Sequence, residues 1–151
     1  MARGNLQWIR GPYTIVRFMV KAGGAVTIKA GEPVIQNTAG DAEYVKIGGS
    51  TITTSDTFVG IACSDSNDTA TLDGVVDVIL PSFGTVFRGD AKTKANLSTA
   101  NMLNKVVLDL TSSKWTVDES TTTNGLCQMV GMNTTLGTVD WMLDMTEALN
   151  A

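Results

Sequence analysis

At 151 residues, with 43% apolar and 17% charged side chains, the chain is long enough to bury a core and too apolar to be disordered. It has no histidine and two cysteines, Cys63 and Cys127, which removes the usual zinc sites and most general-base machinery. The net charge of −4 is uneven: residues 1–30 carry Arg3, Arg10, Arg17, Lys21 and Lys29 and no acid, so +5 sits ahead of −9.

That first stretch reads either as an N-terminal strand with a solvated basic edge or as a basic, aromatic arm over residues 1–20, preceding a single body over 21–151. Trp8, Tyr13 and Phe18 bury much area at low entropic cost, and the cations would steer the arm toward an acidic partner. Arg3, Trp8, Arg10, Tyr13 and Arg17 are therefore the candidate partner-binding residues. From Thr14 to Val20 apolar and polar residues alternate, which predicts a strand. Met1 to Asn5 lacks the apolar core of a signal peptide, and no run is long enough to span a membrane, so synthesis in the cytoplasm is expected.

After Gly23-Gly24, residues 25–29 alternate as a second strand, and Ala30-Gly31-Glu32-Pro33 reads as a turn into an edge strand. Residues 43–47 form another strand, ended by Gly48-Gly49. Val59-Gly60-Ile61-Ala62 and Val75 to Leu80 are the strands on either side of a polar loop, Ser64 to Asp73. Asp65, Asn67 and Asp73 in that loop depart from the EF-hand pattern, because no Gly follows the third ligand and no Glu closes it; no metal is expected there. Arg88-Gly89-Asp90 reads as a turn. Thr93 to Lys105 is the helix candidate, with Ala95, Ala100, Met102 and Leu103 on one face. Lys105 to Leu110 and Lys114 to Val117 pair as a hairpin around Thr111-Ser112-Ser113. Residues 144–150 suit one helical turn. The cysteines are expected to be buried small hydrophobes without a disulfide, and the late methionines, Met129, Met132, Met142 and Met145, core or interface filler.

Three landmarks recur in order: Gly-acid, Val-Gly and Val-Asp-x-x-Leu, first over residues 31–80 and again over 89–143. They suggest either an internal duplication or one barrel whose corners share turn chemistry. Asp77 and Asp140 each interrupt an apolar strand. They should project opposite their valine neighbours, as surface groups or as groups needing partners in an interface. Many short strands with Gly-rich punctuation predict a mainly β fold, a small barrel or sandwich with one short helix near 93–105.

In its order of elements the chain resembles tailed-bacteriophage capsid decoration, or cement, proteins of the small β-barrel kind. The resemblance rests on Lys21 to Pro33, Phe58 to Ala62, Val75 to Pro81, Arg88 to Ala91, and the closing pair Val130 to Met132 and Val139 to Leu143. It departs from the family where Met132-Asn133 replaces the more usual Val-Ala and in the length of the basic arm. The resemblance implies a non-enzymatic protein on the capsid exterior of a virion. It would bind major capsid protein and associate with itself, most often as a trimer, with no cofactor, nucleic acid or membrane. An alternative from another class is a β-rich adhesin or carbohydrate-binding module using Trp115 and the Thr-rich loop after it. Without histidine or a convergent acid pair, an enzyme is not expected.

Overall fold

The computed structural model describes residues 5–24, 27–38 and 40–144. Its strands are β1 (Gln7–Arg10), β2 (Ile15–Val20), β3 (Pro33–Gln36), β4 (Tyr44–Ile47), β5 (Thr51–Ile52) and β6 (Phe58–Ala62). They continue with β7 (Gly74–Ile79), β8 (Val86–Ala91), β9 (Lys105–Thr111), β10 (Lys114–Asp118), β11 (Cys127–Asn133) and β12 (Thr138–Leu143). The fold is mainly β and barrel-like, as the pattern of short strands predicts.

The strands close into two barrels of the same design. In the first, the order is β2-β4-β3-β6-β7 and β7 returns to β2. In the second, the order is β8-β10-β9-β11-β12 and the β12–β8 pairing closes the ring. Each has one parallel contact, β2 with β4 and β8 with β10, and is otherwise antiparallel.

The register repeats residue by residue. Arg17 faces Asp77 as Arg88 faces Asp140, and Val20 faces Val45 as Ala91 faces Val117. Val34 faces Gly60 as Val106 faces Cys127, and Ala62 faces Val78 as Met129 faces Trp141. Strand alternation then sends corresponding side chains inward. Val20, Val34, Val45, Ala62, Val76 and Val78 fill the first barrel; Ala91, Val106, Val117, Met129, Val139 and Trp141 are buried at the matching places in the second.

This frame differs from the one drawn by the sequence landmarks. Val-Asp-x-x-Leu is in register in both barrels, but Gly89-Asp90 lies within β8, opposite Val139 and Thr138, whereas Gly31-Glu32 precedes β3. Gly60 corresponds to Cys127, not to Gly131. The repeating units are β2 to β7 and β8 to β12, so the first begins inside the stretch read as an arm.

That stretch is extended but not separate. β1 pairs with β8 of the second barrel, and β2 is a wall of the first. The barrels also share a core, because Ile35, Ile61 and Ile79 of the first join the cluster that holds Phe87, Trp115 and Trp141. β5 adds to β9 across the same junction.

Three local expectations need correction. Thr93 to Lys105 forms two 3-10 turns, Lys94–Asn96 and Thr99–Asn101, rather than one helix. Ser98 and Asn101 close a capping box on each other's backbone, and Leu103 has a φ of 67°, so side chains and backbone both stop propagation. Leu97 is buried there while Ala95, Ala100, Met102 and Leu103 are exposed, which leaves no apolar stripe to dock. Thr27 to Lys29 is not a strand; Ile28 leaves the sheet to plug the first barrel, while 25 and 26 lie outside the described residues. Arg88-Gly89-Asp90 is strand, not turn. The hairpin β9–β10 forms as expected, with Ser112 and Ser113 both at positive φ, the geometry of a tight primed turn. The expected turn over 144–150 lies, beyond Asp144, outside the described residues.

Candidate functional site

Arg3 lies outside the described residues; the other four candidates fall on or beside β1 and β2. Trp8 is half-buried against the shared core, and its ring meets Tyr13 edge-on at 4.9 Å between centroids. Its indole Nε1 is buried and has no hydrogen-bond partner among the described residues. Arg10 ends β1 in solvent, after a bulge between Trp8 and Arg10. Trp8 thus serves partly as structure, whereas Tyr13 is exposed to a partner.

Period-two alternation places Ile15, Arg17 and Met19 on the outer face of β2. Tyr13 is 51% exposed, and Ile15 and Met19 are 46% exposed each, so three large apolar side chains flank one arginine. Sequence reasoning marked Tyr13 and Arg17 but missed Ile15 and Met19. The signal was present in the alternation of Thr14 to Val20, but it gives no sign of which strand face stays uncovered.

Arg17 is tied down. Its Nε donates to Asp77 Oδ1 at 2.8 Å and its Nη2 to Asp77 Oδ2 at 3.2 Å, a two-pronged pair across β2 and β7. The hydrogen bond from Arg17 holds the Asp77 carboxyl below its ordinary range. Arg88 grips Asp140 in the same way, at 2.7 and 3.2 Å. Both aspartates are therefore partnered within their own barrel.

The polar loop from Ser64 to Asp73 is a clasp. Ser66 Oγ accepts from the Ile28 N–H at 2.8 Å, and the Ser66 N–H donates to the Ile28 carbonyl at 2.8 Å, which holds the Ile28 plug in place. Asp65 accepts from Ala30 N–H, Asn67 from Val75 N–H, and Asp73 from both Ala22 N–H and the Tyr44 hydroxyl. The oxygens that suggested a cation loop thus brace backbone. A concavity at the mouth of the first barrel, about 340 Å³, is lined mainly by apolar groups such as Val20, Ile28, Val45 and Ile47.

Among the described residues no group of three or more cysteine, aspartate or glutamate side chains is placed to hold a metal ion. Both cysteines are free thiols. Burial pushes the Cys127 thiol well above its ordinary pKa and raises Cys63 as well, so neither is an activated nucleophile. Trp115 is fully buried under the shared core, which takes away the aromatic edge on which a glycan reading depends. Among the described residues no helix is long and apolar enough to cross a membrane.

Fold and site together define a tandem five-stranded β-barrel protein with an exposed apolar and basic row on β2. Comparison with protein-family models, curated proteins and solved structures finds no match.

Proposed function

We propose that the chain is a capsid decoration protein that binds the outer surface of an assembled phage head and stabilises contacts between major capsid subunits. The observation that carries this reading is the exposed row Tyr13, Ile15, Arg17 and Met19, set on a stiff barrel wall rather than in a catalytic cleft. The resemblance in element order supplies the class of partner. In that role the protein acts by linkage: a ligand that binds only the assembled lattice shifts the equilibrium toward the lattice. Self-association, as a trimer at a site of matching symmetry, adds avidity to contacts that are individually weak.

Deleting the first 18 residues would be a poor test, since it removes β1 and most of β2 and opens the first barrel. Point changes on the exposed row keep the fold. Purified protein mixed with expanded capsids should sediment with them and image at fixed lattice positions. Tyr13→Ala combined with Met19→Ser should weaken that binding at least tenfold while leaving the melting curve in place. Wild-type protein that stays in the supernatant at every concentration would refute the reading.

A further inference from the structure

The two barrels differ at one corresponding edge. In β8, the Ala91 N–H donates to the Gly137 carbonyl, so by strand alternation residues 87, 89 and 91 face β12 while 86, 88 and 90 face the other side. On that other side Asp90 meets Thr116 of β10, and Val86 and Arg88 meet Arg10 and Gln7 of β1. β10 and β1 thus share the edge end to end.

In β2, the Leu80 N–H donates to the Thr14 carbonyl, so residues 14, 16, 18 and 20 face β7 while 15, 17 and 19 face away. Met19 meets Tyr44 of β4, as Asp90 meets Thr116. On the side away from β7, Ile15 and Arg17, the counterparts of Val86 and Arg88, meet no strand among the described residues. The outward side chains differ as well: Val86 is 5% exposed and Ile15 is 46% exposed.

We propose that the backbone edge of β2 at Ile15 and Arg17 accepts an extended segment of a partner chain as an added antiparallel strand, in line with β4. The filled edge of the second barrel shows what the site takes: about one four-residue strand with the geometry of β1. Its barrel-facing residue is large and apolar, as Trp8 is beside Phe87, because its neighbour here, Val16, is smaller and only half-buried. Among the described residues this chain's own strand of that kind, β1, is already paired with β8, so the segment is assigned to another chain. Resting on the function proposed above, that chain is the capsid subunit. Pro12 and the cations Arg17 and Lys21 border the edge, which discourages indiscriminate pairing with other copies.

The probe is a synthetic peptide with the sequence of residues 5–11, titrated into the intact, isotope-labelled protein. Saturable shifts and slowed amide exchange are expected at Ile15 and Arg17. Ile15→Pro removes the outward N–H without touching a hydrogen bond to β7, so it should weaken peptide binding at least tenfold and keep the folded spectrum, whereas Ile15→Ala, which removes only the side chain, should weaken it far less. Absent shifts, or shifts confined to Val86 and Arg88 through exchange with the native β1, would overturn the strand-acceptor site. A parallel arm uses expanded capsids. If wild-type protein and Ile15→Pro bind them equally, the capsid segment is not the occupant, although the decoration reading stands. If wild-type protein fails to bind capsids, that reading falls together with the capsid as occupant, and the peptide arm alone decides whether the edge is a site.

Discussion

The two barrels reach the same register with different fillings. The first is lined by five valines and an alanine and borrows Ile28 from a loop, pinned by Ser66. The second uses the bulk of its own strands, with Trp141 where the first has Val78 and Met129 where it has Ala62. Backbone pairing and inward apolar character are thus held constant, while volume is supplied from different parts of the chain. The outer surface diverges more sharply. At the second barrel β1 covers the β8 edge, whereas at the first no strand among the described residues covers the same edge, and its apolar side chains are exposed.

The largest effect is expected where the barrels differ in backbone approach. A Cβ at Gly60 would lie 2.2 Å from the Ile79 carbonyl oxygen, yet the corresponding Cys127 carries a side chain without difficulty. Gly60→Ala should cost more than about 4 kcal/mol in chemical denaturation, or prevent folding; tolerance of that change would mean the β6–β7 contact is looser than described. Next come the fillings. Trp141→Ala should cost about 3–5 kcal/mol, and Ile28→Ala about 2–5 kcal/mol, toward the lower end because its loop can settle into the mouth. Tryptophan fluorescence and amide exchange would show whether each loss is felt first in its own barrel.

Smaller effects separate the two arginine–aspartate pairs. The Arg17 and Asp77 side chains are 66% and 29% exposed, against 42% and 13% for Arg88 and Asp140. Double-mutant cycles should give the larger coupling for Arg88–Asp140 and a stronger salt dependence for Arg17–Asp77. Acid should discriminate as well. Arg17 lowers the pKa of Asp77, and the Ala22 N–H and then the Tyr44 hydroxyl lower that of Asp73. For groups with depressed folded values, the stability they lend is present above an unfolded value of about 3.9 and is lost as pH falls through the folded values. In the second barrel Asp118 is also lowered: burial opposes the shift, but the Thr121 hydroxyl, the Ser120 N–H and Lys92 outweigh it. With two such carboxylates around it, the first barrel should lose amide protection below about pH 4 before the tryptophans of the second respond.

Much of the fold was legible because it depends on alternation. The β9–β10 hairpin and the strands around Val-Gly-Ile-Ala and Val-Asp-x-x-Leu declare themselves by period and by β-branched content. The frame of the repeat was not legible from Gly-acid and Val-Gly, which are common punctuation and fall at unrelated places. A better signal was Arg17 with Lys21 and Arg88 with Lys92, the same spacing at the start of each barrel. The helix reading failed at Ser98 and Asn101, whose side chains compete for the backbone. Of the candidate site, Tyr13 and Arg17 could be picked by residue type. Ile15 and Met19 could not, because their exposure depends on which strand lies beside β2, a long-range fact absent from local pattern.

The unequal edges can be tested directly by amide hydrogen exchange on the free, intact protein. The pairings described here predict slow exchange at Val86 and Arg88, where β1 covers the strand, and fast exchange at their counterparts Ile15 and Arg17. Val16 and Phe18, which face β7, should be slow. Equal protection at Ile15, Arg17, Val86 and Arg88 would contradict the account.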